Sequence, residues 1–476
     1  MTPKQLLLAL LATLSLTLPA RAAERPNILF LFSDDQRADT IAALGNPHIQ
    51  TPHLDRLVRE GTAFTRAYCM GAMQGAVCVP SRAMLMSGRT LFRIQENLDG
   101  LATWPEQFGA AGYATFISGK WHNGAPSVQR SFQTGKAIFL GGMTQQDVAQ
   151  AAVQDLSADH QLGAKRPAGK IPSELFADSA IEFLQQQKGE RPFVCYVAFN
   201  LPHDPKVAPK EYHDRAAASP PPLPKNFLPQ HPFNNGELLV RDEKLEQWPR
   251  TPEAVRRHLA DYYATISFLD AQVGRILAAL KESGQYEQTL IVFSSDHGLA
   301  IGSHGLFGKQ NLYEHSMRAP LLFAGPGVPK AKQSDAFCYL LDIGPTLYEL
   351  AGVKLPESVE GRSLAPILAG RQAKVRDSLF TAYRHLMRAV RDDQWKLIRY
   401  PPINKSQLFD LKADPDELKD LSENTQHAGE LKRLTALLEK WQSDLGDQQP
   451  LSTNHPAPLQ IELQADAPAK KKKAAK

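Results

Sequence analysis

The sequence predicts an α/β fold. A large, mostly parallel but mixed sheet has helices on both faces and is followed by a smaller C-terminal α+β subdomain with a short antiparallel sheet. Short apolar runs alternate with helical patterns up to about residue 370, which is typical of a parallel sheet covered by helices. From residue 371 the apolar runs follow one another closely, which favours antiparallel strands. A chain of 476 residues is long enough for both units.

The first strand and helix illustrate the alternation. Residues 26–37, PNILFLFSDDQR, form an apolar run that ends in two carboxylates, as expected of a strand buried on both faces. In the segment TPHLDRLVREG, Thr51 is the expected N-cap, Pro52 the first helical residue and Gly61 the stop. A strand followed by a helix gives the first α/β unit.

Later segments repeat this order. Further strands are expected at residues 113–121, 192–202 and 289–295, and helices at residues 173–189 and 252–283. Each of these strands runs into polar residues, and open α/β sheets place their active sites at the carboxyl ends of strands. Residues 204–250 are rich in proline and have no period, so we expect an irregular excursion over the surface that borders the site. In the C-terminal subdomain we expect a turn at residues 391–394 and a helix over residues 428–445.

The N-terminus predicts a signal peptide over residues 1–22. Lys4 precedes an apolar run from Leu6 to Leu18, and Ala20-Arg21-Ala22 is a cleavage site of small residues. An uncleaved anchor is the rival interpretation, but the run is shorter than the roughly 20 residues of a spanning helix. We therefore expect an exported protein, periplasmic or secreted, with no stable membrane insertion. The catalytic domain is expected over residues 24–370 and the C-terminal subdomain over residues 371–455.

The charge is concentrated at the C-terminus. The formal net charge is +4, and the five lysines between residues 470 and 476 contribute more positive charge than this net value. The rest of the chain is mildly acidic, and we expect no nucleic-acid partner. Residues 456–476 are predicted to form a disordered, lysine-rich tail, and binding of a polyanion or an anionic surface is the alternative.

The chain has four cysteines: Cys69, Cys78, Cys195 and Cys338. In an oxidising compartment an even number predicts two disulfides, with three possible connectivities. Cys195, however, lies in the apolar run PFVCYVAFN, where a cysteine serves as a small buried hydrophobe. A bridge between Cys69 and Cys338 remains open.

Carboxylates follow two of the predicted strands. Asp34 and Asp35 end the first strand, and Asp296 and His297 follow the strand at residues 289–295. Neighbouring carboxylates at the end of a buried strand repel each other unless a cation joins them. Three acids and an imidazole favour a hard divalent ion such as Ca²⁺ or Mg²⁺. The alternative is simple turn and cap chemistry.

The run CVPSRAMLMSGR resembles the motif of type I sulfatases, in which Cys-x-Pro-Ser-Arg is followed by Ser/Thr-Gly-Arg. Further segments of the chain resemble the family in family order from Pro26 to about Leu421: PNILFLFSDDQR, SGKWH, LPHDP, SDHGLAIGSHGLFGKQNLYEHSMRAPL and LFDLKADPDELKDL. The resemblance implies the fold of the alkaline phosphatase superfamily and a sulfuric-ester hydrolase. Asp296-His297 is similar to the metal motif of iduronate-sulfatase-like members, where many relatives have asparagine in place of histidine.

The resemblance also implies that Cys78 is oxidised to formylglycine by a formylglycine-generating or sulfatase-maturating enzyme. A hydrated aldehyde offers one oxygen to attack sulfur and a second to expel the sulfate afterwards. The implied metal, Ca²⁺ rather than Mg²⁺, is surrounded by formylglycine 78 and the side chains of Asp34, Asp35, Asp296 and His297.

Five other residues match catalytic positions of the family. Arg82 is implied to orient the hydrated aldehyde, and Lys120 and Lys309 to neutralise the sulfate oxygens. His122 resembles the base that drives sulfate release. His203, together with Lys309, resembles the group that protonates the departing alcohol. Taken singly, each has a structural alternative as a strand end or a hydrogen-bonded core histidine.

The expected substrate is a sulfated small molecule or saccharide, with a sulfated carbohydrate preferred by analogy with relatives. The alternative enzyme is a phosphonate or phosphate monoester hydrolase of the same superfamily. If the protein is not an enzyme, the alternative is a catalytically silent protein that binds polyanions. Specificity is expected to come from residues 204–250 and from the region around His385 and Arg388.

Overall fold

The structure, a computed structural model, describes residues 25–463. Its strands are β1 (Asn27–Asp34), β2 (Gly61–Phe64), β3 (Ala67–Tyr68), β4 (Gly71–Ala72), β5 (Ala114–Lys120), β6 (Thr134–Phe139), β7 (Ala152–Leu156), β8 (Arg166–Pro167), β9 (Phe193–Pro202), β10 (Thr289–Ser295), β11 (Arg318–Ala319), β12 (Leu321–Ala324), β13 (Lys332–Ser334), β14 (Cys338–Tyr339), β15 (Leu379–Tyr383), β16 (Met387–Arg391), β17 (Trp395–Tyr400) and β18 (Lys405–Asp410). Its α-helices are α1 (Pro52–Glu60), α2 (Cys78–Ser87), α3 (Trp104–Ala110), α4 (Ala125–Ser131), α5 (Pro172–Gln186), α6 (Lys210–Ala218), α7 (Pro252–Glu282), α8 (Glu314–Met317), α9 (Ile343–Leu350), α10 (Ala365–Leu368) and α11 (Ala428–Leu445). The predicted signal peptide and most of the predicted tail lie outside the described residues.

The main sheet has ten strands in the order β13-β2-β12-β10-β1-β9-β5-β6-β7-β8. The central strands β10, β1, β9, β5 and β6 are parallel, and antiparallel pairs flank them on both sides. Ile28, Phe30 and Phe32 of β1 pack into one buried cluster, whereas Leu29 and Leu31 pack into the cluster on the opposite face. This confirms the predicted mixed sheet covered on both faces, because alternate side chains of a strand point to opposite sides.

A second sheet of five strands contains the predicted antiparallel ladder β15-β16-β17-β18, with the turn at residues 391–394 and α11 as expected. Its fifth strand is β4, which pairs in parallel with β15 and belongs to the segment before Cys78. The sheet is therefore built from both ends of the chain.

Buried ion pairs hold this sheet in place. Glu314 of α8 accepts hydrogen bonds from Arg391 (2.9 Å) and Lys396 (3.0 Å), and Lys396 also contacts Glu417 (2.8 Å). Burial opposes ionisation of Glu314, but the charges of Lys396 and Arg391 outweigh it and lower the pKa of this carboxyl. The short helix α8 is thus tied to the C-terminal sheet by charge.

Three details differ from the sequence predictions. The proline-rich excursion contains a helix, α6, and a 3₁₀ turn at Asp242–Leu245. The helix α5 ends at Gln186 rather than at Gly189. All four cysteines are buried free thiols, so Cys195 is unpaired as its apolar run indicates, and neither the two disulfides that an even number allows nor the bridge between Cys69 and Cys338 is formed.

Candidate active site

The carboxyl ends of β1, β5, β9 and β10 meet at one edge of the main sheet, and each delivers polar side chains there. All ten side chains predicted from the sequence lie in one connected cluster: Asp34, Asp35, Cys78, Arg82, Lys120, His122, His203, Asp296, His297 and Lys309. Nine of them are buried, and His122 is half-buried.

The acidic part of the site comes from β1 and the loop after β10. Ligand atoms of Asp34, Asp35 and Asp296 lie within 4.8 Å of one another, and so do those of Cys78, Asp296 and His297. Asp35 has a left-handed φ of 66°, and its backbone N–H donates to Asp296 Oδ1 at 2.9 Å. This turn lets adjacent aspartates face one centre, which a regular strand would not allow.

These residues fit a divalent cation. Asp34 Oδ1 and His297 Nε2 are buried without a hydrogen-bond partner. His297 Nδ1 lies 3.0 Å from the carbonyl oxygen of Gly298, which fixes Nδ1 as a donor, so Nε2 is the ring nitrogen that can bind a metal once it is deprotonated. Carboxylate oxygens are the ligands that hard cations prefer.

The pKa shifts of Asp296 and His297 also support a cation at this cluster. Burial and the nearby charge of Asp34 raise the pKa of Asp296 to about 7. Burial lowers the pKa of His297, but Asp296 and Asp35 outweigh it and raise this pKa to about 9. Protons thus compensate the crowded carboxylates in the protein alone, and a bound cation would take over that compensation.

Cys78 begins α2 and faces a group of cations. Its Sγ lies 3.3 Å from His122 Nδ1 and 3.9 Å from Lys120 Nζ. Burial raises the pKa of the thiol, but Lys120 and Lys309 outweigh burial and hold this pKa well below its ordinary value. The same field would favour an anionic oxygen at this position.

Three long cationic side chains bridge the carboxylates. Lys120 Nζ contacts Asp34 Oδ2, and Lys309 Nζ lies 2.7 and 2.9 Å from the two oxygens of Asp35. Arg82, one turn after Cys78, places Nη2 3.3 Å from Asp296 and 3.7 Å from Asp34. Burial opposes ionisation of Asp34, but Lys120, His203 and Arg82 hold its pKa well below the usual value.

His203 follows β9 and completes the cluster. Its Nε2 lies 3.8 Å from Asp35 Oδ2, and its Nδ1 lies 2.8 Å from the carbonyl oxygen of Asp204. Burial and the charge of Lys309 lower the pKa of His203. By contrast, His304 stacks on Tyr313 with ring centres 3.9 Å apart, and His315 packs in the same aromatic group.

Sequence reasoning missed several residues around this cluster. Asp242 and Glu243 of the excursion contact the loop that carries Lys309, and Gln310 joins Asp242 to Gly75. Gly142 lies so close to His122 that a Cβ there would be 2.4 Å from Nε2. These positions lie in irregular segments and form no local pattern, so no signal in the sequence could have identified them. Arg388, expected near the substrate, is instead buried and paired with Asp447 at 2.6 Å.

A mixed sheet carries a carboxylate cluster at the ends of its central strands, and helix α2 brings Cys78 beside that cluster. The family models that the chain matches give the class of protein, a hydrolase of the alkaline phosphatase superfamily. The family model "Sulfatase" matches residues 26–353, and the model "N-sulphoglucosamine sulphohydrolase, C-terminal" matches residues 302–444. The chain therefore belongs to the sulfatase family, and the enzyme is a type I sulfatase.

Named relatives cover nearly the whole chain. An N-acetylglucosamine-6-O-sulfatase of Bacteroides thetaiotaomicron is 28% identical, over 94% of this chain and 92% of the relative. A choline-sulfatase of Rhizobium meliloti is 30% identical, over 87% and 85%. A structure solved in complex with its substrate D-glucosamine-2-N,6-O-disulfate superimposes with a TM-score of 0.75 at 24% identity, over 90% of this chain and 99% of that one. The phosphonate monoester hydrolase of Agrobacterium radiobacter shares the fold, with a TM-score of 0.70 and 22% identity over 89% of this chain and 97% of that one.

In the part of the chain that the structure describes, no helix combines the length and the apolar character needed to cross a bilayer.

Proposed function

We propose that this sulfatase hydrolyses O-sulfate esters of a sulfated carbohydrate, with formylglycine made from Cys78 as its nucleophile. The observation that carries the proposal is the position of Cys78, whose Sγ lies within 3.9 Å of both Lys120 and His122. The hydrate of formylglycine supplies two oxygens on one carbon, one to attack sulfur and one to release the sulfate. A separate formylglycine-generating or sulfatase-maturating enzyme would carry out the conversion.

The proposed metal is Ca²⁺, with Mg²⁺ as the less favoured ion. Asp34, Asp35, Asp296 and His297 would hold it together with the modified residue 78, and three carboxylates in one cluster support a hard cation. When bound, such an ion polarises the ester and favours the ionised form of the nucleophile. One imidazole among the ligands makes the preference for Ca²⁺ weaker than an all-oxygen set would.

Three cations of the chain act on the negative charge of the reaction. Arg82 donates from Nη1 to the carbonyl oxygen of Lys120 at 3.1 Å and from Nη2 to Asp296 at 3.3 Å. Held by these two contacts, it orients residue 78. Lys120 and Lys309 hold the sulfate oxygens and neutralise the charge that accumulates on them. Because all three side chains are buried, their charges act with little screening by water.

Two histidines move protons. His122 would take the proton of the second hydroxyl of the hydrate and so release the sulfate, which its Nδ1 at 3.3 Å from Cys78 Sγ supports. His203 would protonate the departing alcohol, which its contact with Asp35, the partner of Lys309, supports.

The carbohydrate substrate is supported by the relatives whose names specify sulfated sugars. We also propose export to the periplasm or the outside, supported by the N-terminal apolar run. The proposed domain division is residues 24–370 and 371–455, with residues 456–476 as a tail.

A substrate panel tests the proposal. Mature enzyme is incubated with sulfated monosaccharides and oligosaccharides, choline sulfate, an aryl sulfate and an aryl phosphonate, and released sulfate or phenol is measured. The proposal predicts turnover of at least one sulfated sugar and its loss in Cys78→Ala. Equal turnover of the aryl sulfate by Cys78→Ala and the unsubstituted enzyme would remove Cys78 from the mechanism. A strong preference for the aryl phosphonate would make phosphonate-ester hydrolysis the main activity in place of sulfate-ester hydrolysis.

A further inference from the structure

The proline-rich excursion returns to the active site through two adjacent acids, Asp242 and Glu243, which begin the 3₁₀ turn Asp242–Leu245. Both side chains are buried, with exposed fractions of 4% and 3%. Neither contacts Cys78. They pack instead against the irregular segment that carries Lys309, so they are buried acids without a role in the chemistry described so far.

The Glu243 carboxylate binds the backbone immediately before Lys309. It accepts hydrogen bonds from the N–H of Phe307 (2.9 Å) and from the N–H of Gly308 (2.8 Å). This segment lies in neither a helix nor a strand, so the two amides have no partner from regular secondary structure. A buried backbone amide needs an acceptor, and here one carboxylate supplies it for two consecutive residues.

Arg250 neutralises the Glu243 charge. Its Nη2 donates to Glu243 Oε2 at 2.9 Å and to the Glu243 carbonyl oxygen at 2.7 Å. The guanidinium lies 4.1 Å from the ring centre of Trp248 and 4.7 Å from that of Phe307. A buried carboxylate is tolerated when it is paired and hydrogen-bonded, and Arg250 provides this pairing from the same excursion.

Asp242 provides a second connection. It accepts a hydrogen bond from Gln310 Nε2 at 2.8 Å, and the same nitrogen lies 3.2 Å from the carbonyl oxygen of Gly75 in the segment before Cys78. Gly308 packs so closely that a Cβ would lie 2.8 Å from Asp242 Cβ and 3.1 Å from Glu243 Oε1. The segment carrying Lys309 is thus fixed against both the excursion and the approach to Cys78.

We propose that Glu243, with Arg250 as its counterion, is a positioning residue for Lys309. By fixing the amides of Phe307 and Gly308, it holds the Lys309 backbone where the ammonium group reaches Asp35 and the sulfate. The inference rests on the role of Lys309 in the proposed function. A displacement of about 1 Å in a group that acts on the transition state can cost about 100-fold in rate.

The test compares Glu243→Gln with Glu246→Gln in the full-length mature enzyme. The amide at position 243 keeps the shape of the side chain, but one of its ends becomes a donor that faces other donors. Glu246 is the matched control, because it lies on the same excursion and its carboxylate binds Arg257 and His258 instead. We expect Glu243→Gln to lower kcat/KM by about 100-fold, mainly through kcat, and Glu246→Gln to leave it unchanged.

The dependence of the rate loss on the leaving group distinguishes positioning of Lys309 from a merely structural role of Glu243. If Lys309 is displaced, protonation of the departing alcohol suffers, so the loss is larger for a sugar sulfate than for an aryl sulfate with a good leaving group. An equal loss for both substrates would overturn the proposal. If Glu243→Gln does not fold, Gly308→Ala is measured in its place with the same expectation, because its added Cβ would lie 2.8 Å from Asp242 Cβ and 3.1 Å from Glu243 Oε1 and would displace the same segment.

A double-mutant cycle with Lys309→Ala separates the possible failures. Adding Glu243→Gln to Lys309→Ala should cause little further loss, because Glu243 acts through Lys309. If the two losses simply multiply, Glu243 does not position Lys309 and this inference is wrong while the proposed function stands. If Lys309→Ala is itself fully active, the assigned role of Lys309 fails, and the inference fails with it.

Discussion

Replacing Lys120 with methionine removes the ammonium group but keeps most of the side-chain length. Lys120 and Asp34 are both fully buried, and their charges pair directly. Breaking a buried ion pair by removing one partner costs about 3 to 5 kcal/mol. Because Arg82 remains 3.7 Å from the other oxygen of Asp34, we expect the lower end of this range, about 3 kcal/mol.

The assay has two parts. Urea unfolding in the presence of a chelator measures stability without a contribution from bound metal, and kcat/KM at saturating metal measures activity. Loss of a charge that stabilises the transition state is expected to lower kcat/KM by about 100-fold or more. Lys136→Met is the matched control, because Lys136 pairs with Glu182 at 2.5 Å on the surface, where an ion pair contributes about 0 to 1 kcal/mol.

Two results would refute this reasoning. If Lys120→Met were as stable as Lys136→Met, the charge of Lys120 would not compensate Asp34. If Lys120→Met retained full kcat/KM, Lys120 would not act on the sulfate.

Three further predictions concern other parts of the molecule. Gly142→Ala should displace the His122 ring and lower kcat/KM by about 10- to 100-fold, as measured by initial rates. Glu314→Gln should lower the free energy of unfolding most at pH 7 and progressively less as the pH falls below 4.5. A carboxyl whose pKa is depressed in the folded state contributes stability that is lost in acid, and urea unfolding across pH measures this loss. Arg388→Ala should cost about 3 to 5 kcal/mol in urea unfolding by leaving Asp447 unpaired, while kcat/KM of the folded enzyme is unchanged.

Each of these predictions has a control or an opposing outcome. Gly429→Ala is the control for Gly142→Ala, because a Cβ at position 429 meets nothing within 4 Å. Equal rates in the two variants would mean that the position of His122 does not matter. A destabilisation by Glu314→Gln that grows in acid would reverse the sign assigned to this carboxyl. A specific loss of kcat/KM in Arg388→Ala would return Arg388 to the substrate-binding region.

The sequence predicts the sheet from local patterns, and it gives the ten candidate site residues from the strand ends together with the resemblance to type I sulfatases. Asp34, Lys120, His203 and Asp296 each follow a buried apolar run, and parallel strands bring their carboxyl ends to one edge. Cys78 lies in a motif whose spacing is itself local. The strand ends therefore indicate the acidic part of the cluster, whereas Arg82, His122 and Lys309 are expected only from the resemblance.

Other features depend on contacts between distant segments, and no local pattern predicts them. Glu243 contacts Phe307 and Gly308 across more than sixty residues of chain. The strand β4 joins the C-terminal sheet although it precedes Cys78. Arg388 is predicted near the substrate as part of the C-terminal subdomain, and only its burial and its pairing with Asp447 identify it as structural.

Every catalytic step proposed for this enzyme depends on Cys78 as the precursor of the nucleophile. Protein produced together with a maturation enzyme is digested after alkylation, and the peptide that contains Cys78 is measured by mass spectrometry alongside the specific activity of each preparation. We expect an aldehyde in place of the thiol at residue 78, and an activity that rises in proportion to the aldehyde fraction. An enzyme that is fully active while residue 78 carries only an alkylated thiol would contradict it.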